Sequence, residues 1–294
     1  MRILPIATLL ACGFAVPAQA GDTDTREARK TEDWSVAASG GATLSDGGGE
    51  QPFVRFGVTR FVGEGYVRAS VTRFSTRQGA GLAGAVPAST WQATLAGGYR
   101  FGAVSIDGYG ALGWRRFERE AYRRETGGAI EIDSNGRTAS AGLTLSYEAR
   151  LGENTLLVPH ISGDISRVDI ARAVNVVPRG TFAQKERQSG TTGSIGATLD
   201  RALARHGGHR AGVYAAFVAT SNSAVALRSE TPLAATALFG PLDVPGSKDS
   251  WGEYGLSATV RLSRALRLDL NAIRTAGLRG GESTSLSAGL RLRF

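Results

Sequence analysis

From Trp34 to Phe294 the chain is a succession of segments, each about ten residues long, in which apolar side chains alternate with small or polar ones. Period two is the mark of a strand, because successive side chains point to opposite faces. Twelve such segments run near Trp34–Leu44, Pro52–Val62, Gly65–Phe74, Ser89–Arg100, Val104–Arg116, Arg137–Arg150, Thr155–Val168, Gln188–Asp200, Arg210–Thr220, Ser250–Leu262, Ala265–Ile273 and Ser283–Phe294. The connections alternate in length. Those at Gly63-Glu64, Phe101 to Ala103, Gly152 to Asn154, around Gly207-Gly208 and at Ser263-Arg264 are short. Those from Ser45 to Gln51, Ser75 to Ala88, Phe117 to Gly136, Asp169 to Arg187, Ser221 to Asp249 and Thr275 to Glu282 are mostly longer. A barrel crossing an outer membrane up and down produces this order, with short periplasmic turns and longer outer loops. A soluble sandwich has no reason to keep it. The expected fold is therefore an all-β, twelve-stranded antiparallel transmembrane barrel of the bacterial outer membrane.

The two faces of the segments agree. In the last one Leu286, Ala288, Leu290, Leu292 and Phe294 share one face, and Ser285, Ser287, Gly289, Arg291 and Arg293 share the other. Charged residues also fall in the middle of other segments. Together Arg55, Arg68, Arg100, Asp107, Glu148, Asp164, Asp200, Glu253, Arg261, Arg267, Asp269, Arg291 and Arg293 are too many charges for a dry interior. They are expected to line a wet lumen, with the apolar face turned to lipid. Aromatics near segment ends (Trp34, Phe61, Phe74, Trp91, Tyr99, Phe101, Trp114, Phe117, Trp251, Phe294) are expected to form two interfacial girdles. Glycines within segments, such as Gly98, Gly113 and Gly142, fit barrel curvature and close approach across the lumen.

Composition removes other classes. A hydrophobic share of 42 % excludes general disorder, yet no apolar run reaches the ~20 residues of a spanning helix. One cysteine and three histidines leave little for metal chemistry. The net charge of +8 comes from arginines scattered along strands and loops, unlike the single patch of a nucleic-acid binder. At the N-terminus, Arg2, the apolar stretch Ile3 to Val16 and Ala18-Gln19-Ala20 make a secretory signal cleaved after Ala20, so residues 1–20 are expected to be removed. The rival is a lipoprotein box at Leu9-Leu10-Ala11-Cys12, with Cys12 acylated. Residues 21–33 (GDTDTREARKTED) form a short polar segment suited to plugging the lumen or hanging in the periplasm, and residues 34–294 form the barrel.

The chain ends on Ser287-x-Gly289-x-x-Leu292-x-Phe294. This resembles the β-signal read by the outer-membrane barrel assembly machinery. Tyr254-Gly255-Leu256-Ser257, Leu262-Ser263, Leu266-Arg267-Leu268 and Gly289-Leu290-Arg291-Leu292-Arg293-Phe294, with Leu157-Val158-Pro159-His160-Ile161, are similar to stretches of the autotransporter translocator family. The resemblance spans the whole barrel and implies twelve strands, outer-membrane lipid and lipopolysaccharide as surroundings, and the assembly machinery as a partner. It departs from the family's usual plan: the segment before the first strand is too short for a passenger.

Candidate chemistry is sparse. His160, Ser162 and Asp164 share one face of the seventh segment, but residues two apart lie about 6.6–6.8 Å from each other along a strand. That is a poor start for a nucleophile and base needing contact at about 2.6–3.2 Å, so these are read as polar lumen residues. His206 and His209 flank Gly207-Gly208 in a turn and lack an acidic or thiol companion. No catalytic residue, metal or cofactor is expected. The stretch Pro232 to Leu242 is too apolar for a freely solvated loop and is expected to fold into the mouth or offer a patch to a partner. Three function classes follow: a translocator-type or structural barrel without a passenger, a narrow channel for small solutes, anions among them, and, behind both, a barrel enzyme or loop-mediated adhesin.

Overall fold

The computed structural model describes residues 9–13, 33–46, 50–76, 88–118, 120–123, 129–177, 180–203, 208–222, 227–228, 235–239, 248–278 and 282–294. Twelve long strands form one closed antiparallel barrel: β1 (Trp34–Ser45), β2 (Glu50–Val62), β3 (Gly65–Thr76), β4 (Ala88–Phe101), β5 (Val104–Phe117), β6 (Ala129–Tyr147), β7 (Thr155–Val177), β8 (Gly180–Ala202), β9 (His209–Thr220), β10 (Asp249–Arg261), β11 (Leu266–Ala276) and β12 (Ser283–Arg293). Each strand pairs with its sequence neighbours, and β12 pairs with β1 from Ser283↔Ser45 to Arg293↔Ser35. The seam is finished by a reciprocal pair of bonds: Trp34 N–H donates to the Phe294 carbonyl and Phe294 N–H to the Trp34 carbonyl, each at 3.1 Å. Lipid offers backbone groups no partner, so closure is what makes the sheet compatible with a bilayer.

Alternation sorts the side chains as binary patterning demands. Leu143 is 66 % exposed on the outer face of β6, while Thr144 and Ser146 beside it are buried on the inner face. The same order holds on β10, with Tyr254 and Leu256 outside and Glu253 inside, and on β12, with Leu286, Leu290 and Leu292 outside and Arg291 and Arg293 inside. A protein surface carrying this much exposed Leu, Val, Ile and Phe needs lipid around it. The inner turns are tight because glycine allows them: Gly63 (φ 58°) and Gly102 (φ 64°) occupy the left-handed region between β2 and β3 and between β4 and β5.

Two expectations are corrected. The outer connections from Phe117 to Gly136 and from Asp169 to Arg187 are not plain loops. β6 begins at Ala129, β7 runs to Val177 and β8 starts at Gly180, so the three strands rise together beyond the membrane. Outside lipid no apolar face is required, and charged residues continue the ladder. Asp169, paired with Arg137 and so at the level of Trp114, joins Arg167 (2.9 Å) and Arg187 (2.7 Å) there. The Arg187 hydrogen bond, with Arg167 behind it, holds the Asp169 carboxyl below the usual carboxylate range. Second, the girdle is only partly formed. Trp34, Trp91, Tyr99, Phe101, Trp114 and Phe294 are exposed outside, but Phe74, Phe117 and Trp251 are buried on the inner face, and Phe61 lies under Arg293 there. Parity decides it: these four share the face of the inward arginines and acids.

The apolar stretch Pro232 to Leu242 falls largely outside the described residues. Its Ala235–Phe239 segment is extended and pairs with Leu9–Gly13 and with Leu227–Arg228. Among the described residues no helix is long and apolar enough to cross a membrane, which is silent about strands.

The outer face is the testable part. Replacing Leu143 by Arg should destabilise the protein refolded into lipid vesicles by about 2–4 kcal/mol, as measured by denaturant titration. An exposed leucine of a water-soluble protein would change by no more than about 0.5 kcal/mol.

Candidate functional site

The site is the inner wall of the barrel, a surface of small side chains with charges set into it. β1 contributes Ser35, Ala37, Ser39, Gly41 and Thr43, and β6 Ser134, Gly136, Thr138, Ser140, Gly142, Thr144 and Ser146. Small residues are needed because large neighbours are folded over them. Tyr66 on β3, Gly98 on β4 and Asp107 on β5 lie in one register row, and the Tyr66 hydroxyl donates to Asp107 Oδ1 at 2.8 Å across the glycine. The arrangement repeats two strands on: Tyr109 on β5 donates to Asp164 Oδ1 on β7 across Gly142 on β6. A Cβ on Gly98 would sit 2.2 Å from Asp107 Oδ1, and one on Gly142 would sit 2.2 Å from Asp164 Oδ1. Asp200 overhangs Gly212 at the same 2.2 Å without a tyrosine.

Several other inward residues hold one another. Trp251 Nε1–H donates to Glu253 Oε1 at 2.9 Å, and the Tyr214 hydroxyl donates to Glu253 Oε2 at 3.1 Å. His160 stacks on Tyr214 with ring centroids 5.9 Å apart. Ser162 shares a bond of 2.6 Å with Ser194, while Asp164 is held by Tyr109. His160, Ser162 and Asp164 thus each turn to a different neighbour, and the strand does not assemble them into a nucleophile and base. His209 is exposed, His206 lies outside the described residues, and no cluster of three potential metal ligands occurs among the described residues.

The charges are unevenly spread around the wall, although buried Arg115 on β5 and Arg210 on β9, close to Asp200, lie on the side of the acids. Arg55 on β2, Arg68 on β3, Arg261 on β10, Arg267 on β11, and Arg291 and Arg293 on β12 occupy one side, with Asp269 among them accepting from Arg291 and, at 2.8 Å, from the Thr259 hydroxyl. Asp107, Glu148, Asp164 and Asp200, from β5 to β8, occupy the other; Glu148 is paired with Arg100 of β4 at 2.8 Å. Glu253 sits between the two sides on β10. The assembly-signal residues divide by parity: Ser287 and Gly289 face inward, and Leu292 and Phe294 face out beside the seam.

The autotransporter β-domain family model covers residues 54–272. The chain belongs to that family. Among solved structures it is similar to the translocator domain of the autotransporter NalP from Neisseria meningitidis, at 13 % identity and a TM-score of 0.64 over 93 % of this chain and 95 % of that one. It is also similar to the β-domain of the Bordetella autotransporter BrkA, at 17 % identity and a TM-score of 0.58 over 89 % and 99 %. No curated protein matches. The autotransporter-like barrel is accordingly a protein of the Gram-negative outer membrane, and its family is inserted there by the barrel assembly machinery.

Tyr66, Tyr109 and Tyr214 escaped the sequence reading as site residues. Parity with Arg68 on β3 and with Asp107 on β5 marks the first two as inward, but only the register shows a glycine between each tyrosine and its aspartate. The Gly142→Ala substitution should weaken the barrel by about 1–3 kcal/mol in vesicle unfolding, by driving Tyr109 and Asp164 apart. Gly110→Ala, whose Cβ meets open space, should change it by less than about 0.5 kcal/mol.

Proposed function

We propose that this autotransporter-like barrel works as a stand-alone conduit of translocator type, without a passenger of its own. The observation that supports it is the small-residue lining of β1 and β6, which adds little side chain of its own to the lumen and lets Phe53 and Tyr109 lie against the wall at Gly41 and Gly142. In this reading residues 1–20 are a leader removed after Ala20, and residues 21–33 are a short polar segment at the periplasmic mouth. Asp33, at its end, already accepts a bond of 2.7 Å from Phe61 N–H. The segment is short enough to enter the lumen and too short to be cargo. Outer loops and arginines meet lipopolysaccharide phosphates, and nucleic acid has no part. No catalytic chemistry or cofactor enters this function, in keeping with translocator barrels in general.

A second reading, a narrow channel favouring small anions, is supported by the arginine side of the wall. One experiment addresses both. The refolded mature chain is placed in planar bilayers, with and without residues 21–33. Conductance that is low in the intact chain and rises on truncation is expected for a conduit plugged by its own segment. Steady anion-selective conductance in the intact chain would favour the channel. Silence in both would refute an open path.

A further inference from the structure

The arginine side of the lumen has an internal geometry that charge counting alone does not reveal. Closure of the barrel brings β12 next to β1, so residues from the end of the chain share register rows with residues near its start. One row reads Arg293, Ser35, Thr59, Arg68 from β12 to β3. The next reads Arg291, Ala37, Gly57, Ser70, and Arg55 Nη2 donates to that Ser70 hydroxyl at 2.9 Å. Arg68 Nε donates to the Thr59 hydroxyl at 3.2 Å, so it leans back over β2. Arg68 and Arg293 thus both lie over β2, Arg293 above the Phe61 ring, while Arg55 leans towards β3 and Arg291 towards Asp269 on β11, with Ser35, Ala37, Ser39 and Gly57 as the floor between them. All four are buried, at 8 % exposure for Arg55, 9 % for Arg68, 7 % for Arg291 and 6 % for Arg293.

From β12 to β3 is three strand spacings, about 14–15 Å, a span that the side chains of Arg68 and Arg293 enter from opposite edges. Asp269 flanks the group beside Arg291, and Asp107 flanks it through Tyr66 beside Arg68. With Arg267, the register neighbour of Arg291, five positive and two negative charges leave this part of the wall at +3. The donors come from three strands and from three register rows, each about 6.6–6.8 Å from the next along the strands, so they do not lie in one plane. A tetrahedral acceptor suits that arrangement better than a flat one, and guanidinium forks recognise phosphate oxygens in pairs.

We propose that Arg55, Arg68, Arg291 and Arg293 form a binding site for a doubly charged tetrahedral oxyanion of the phosphate type within the lumen. The site rests on the wet-lumen reading above but needs only one open mouth, whereas conduction needs both. Its failure and the failure of the conduit are therefore separable.

The test is calorimetric titration of the refolded full chain in detergent with inorganic phosphate, with acetate as a flat, singly charged comparison. Saturable phosphate binding is expected, with acetate at least tenfold weaker and the Arg55→Gln/Arg68→Gln double variant at least tenfold weaker for phosphate. Arg115→Gln, whose guanidinium covers Phe117 in the outer half of the lumen, should bind phosphate as the parent does. Should the double variant not refold, phosphate protection of Arg68 from phenylglyoxal in the parent chain, read by mass spectrometry, gives the same answer. Absence of saturable binding, acetate binding as tightly as phosphate, equal affinity in the double variant, or Arg68 modified at the same rate with and without phosphate would each overturn the proposal. Phosphate binding in a barrel silent in planar bilayers would keep the site and remove the conduit.

Discussion

Every feature of this protein follows from the bonds that join its last strand to its first. In lipid an open sheet edge leaves a row of N–H and C=O groups without partners, at several kcal/mol for each group. The Trp34–Phe294 pair at 3.1 Å and the β12–β1 ladder remove that edge. Once the sheet is closed, each strand has an outside and an inside, and period two assigns every side chain to one or the other. The apolar set goes to lipid. The polar set is confined to a lumen whose width depends on how much side chain is put into it.

That confinement explains the glycines. Tyr66 and Tyr109 each cross a neighbouring strand to reach an aspartate two strands away, and they can do so only where the strand between carries no Cβ. The tyrosine covers the bare backbone of the glycine, and the aspartate receives a hydroxyl donor that offsets part of its desolvation. Glycine inside a strand ordinarily weakens it. Here the same residue creates the space in which two polar side chains satisfy each other. The ladder of small residues is thus both structural and permissive: it ties β3 to β5 and β5 to β7, and it keeps the wall low.

Much of this was legible in the residues alone, because period two needs no knowledge of partners. The twelve segments, the two faces of β6, β10 and β12, and the inward position of charged residues such as Arg55, Asp164, Glu253 and Arg291 all follow from parity. The rise of β6, β7 and β8 beyond the membrane was not legible, since outside lipid the alternation loses its apolar half and Lys185, Glu186 and Arg187 read as loop. Nearness to segment ends points Phe74, Phe117 and Trp251 to the girdles, but their parity places them inside. The arginine group around Ser35, Ala37 and Gly57 depends on the β12–β1 register, which local sequence does not contain.

One face of each strand meets water in the lumen while the other meets lipid. Single cysteines substituted in turn at Ser285, Leu286, Ser287, Ala288, Gly289 and Leu290 of β12, in a cysteine-free mature chain held in vesicles, test it directly. The account predicts that a membrane-impermeant thiol reagent labels Ser285→Cys, Ser287→Cys and Gly289→Cys, and that only a lipid-soluble reagent labels Leu286→Cys, Ala288→Cys and Leu290→Cys. Labelling by the impermeant reagent that is uniform along the strand, or that follows the opposite alternation, would contradict it.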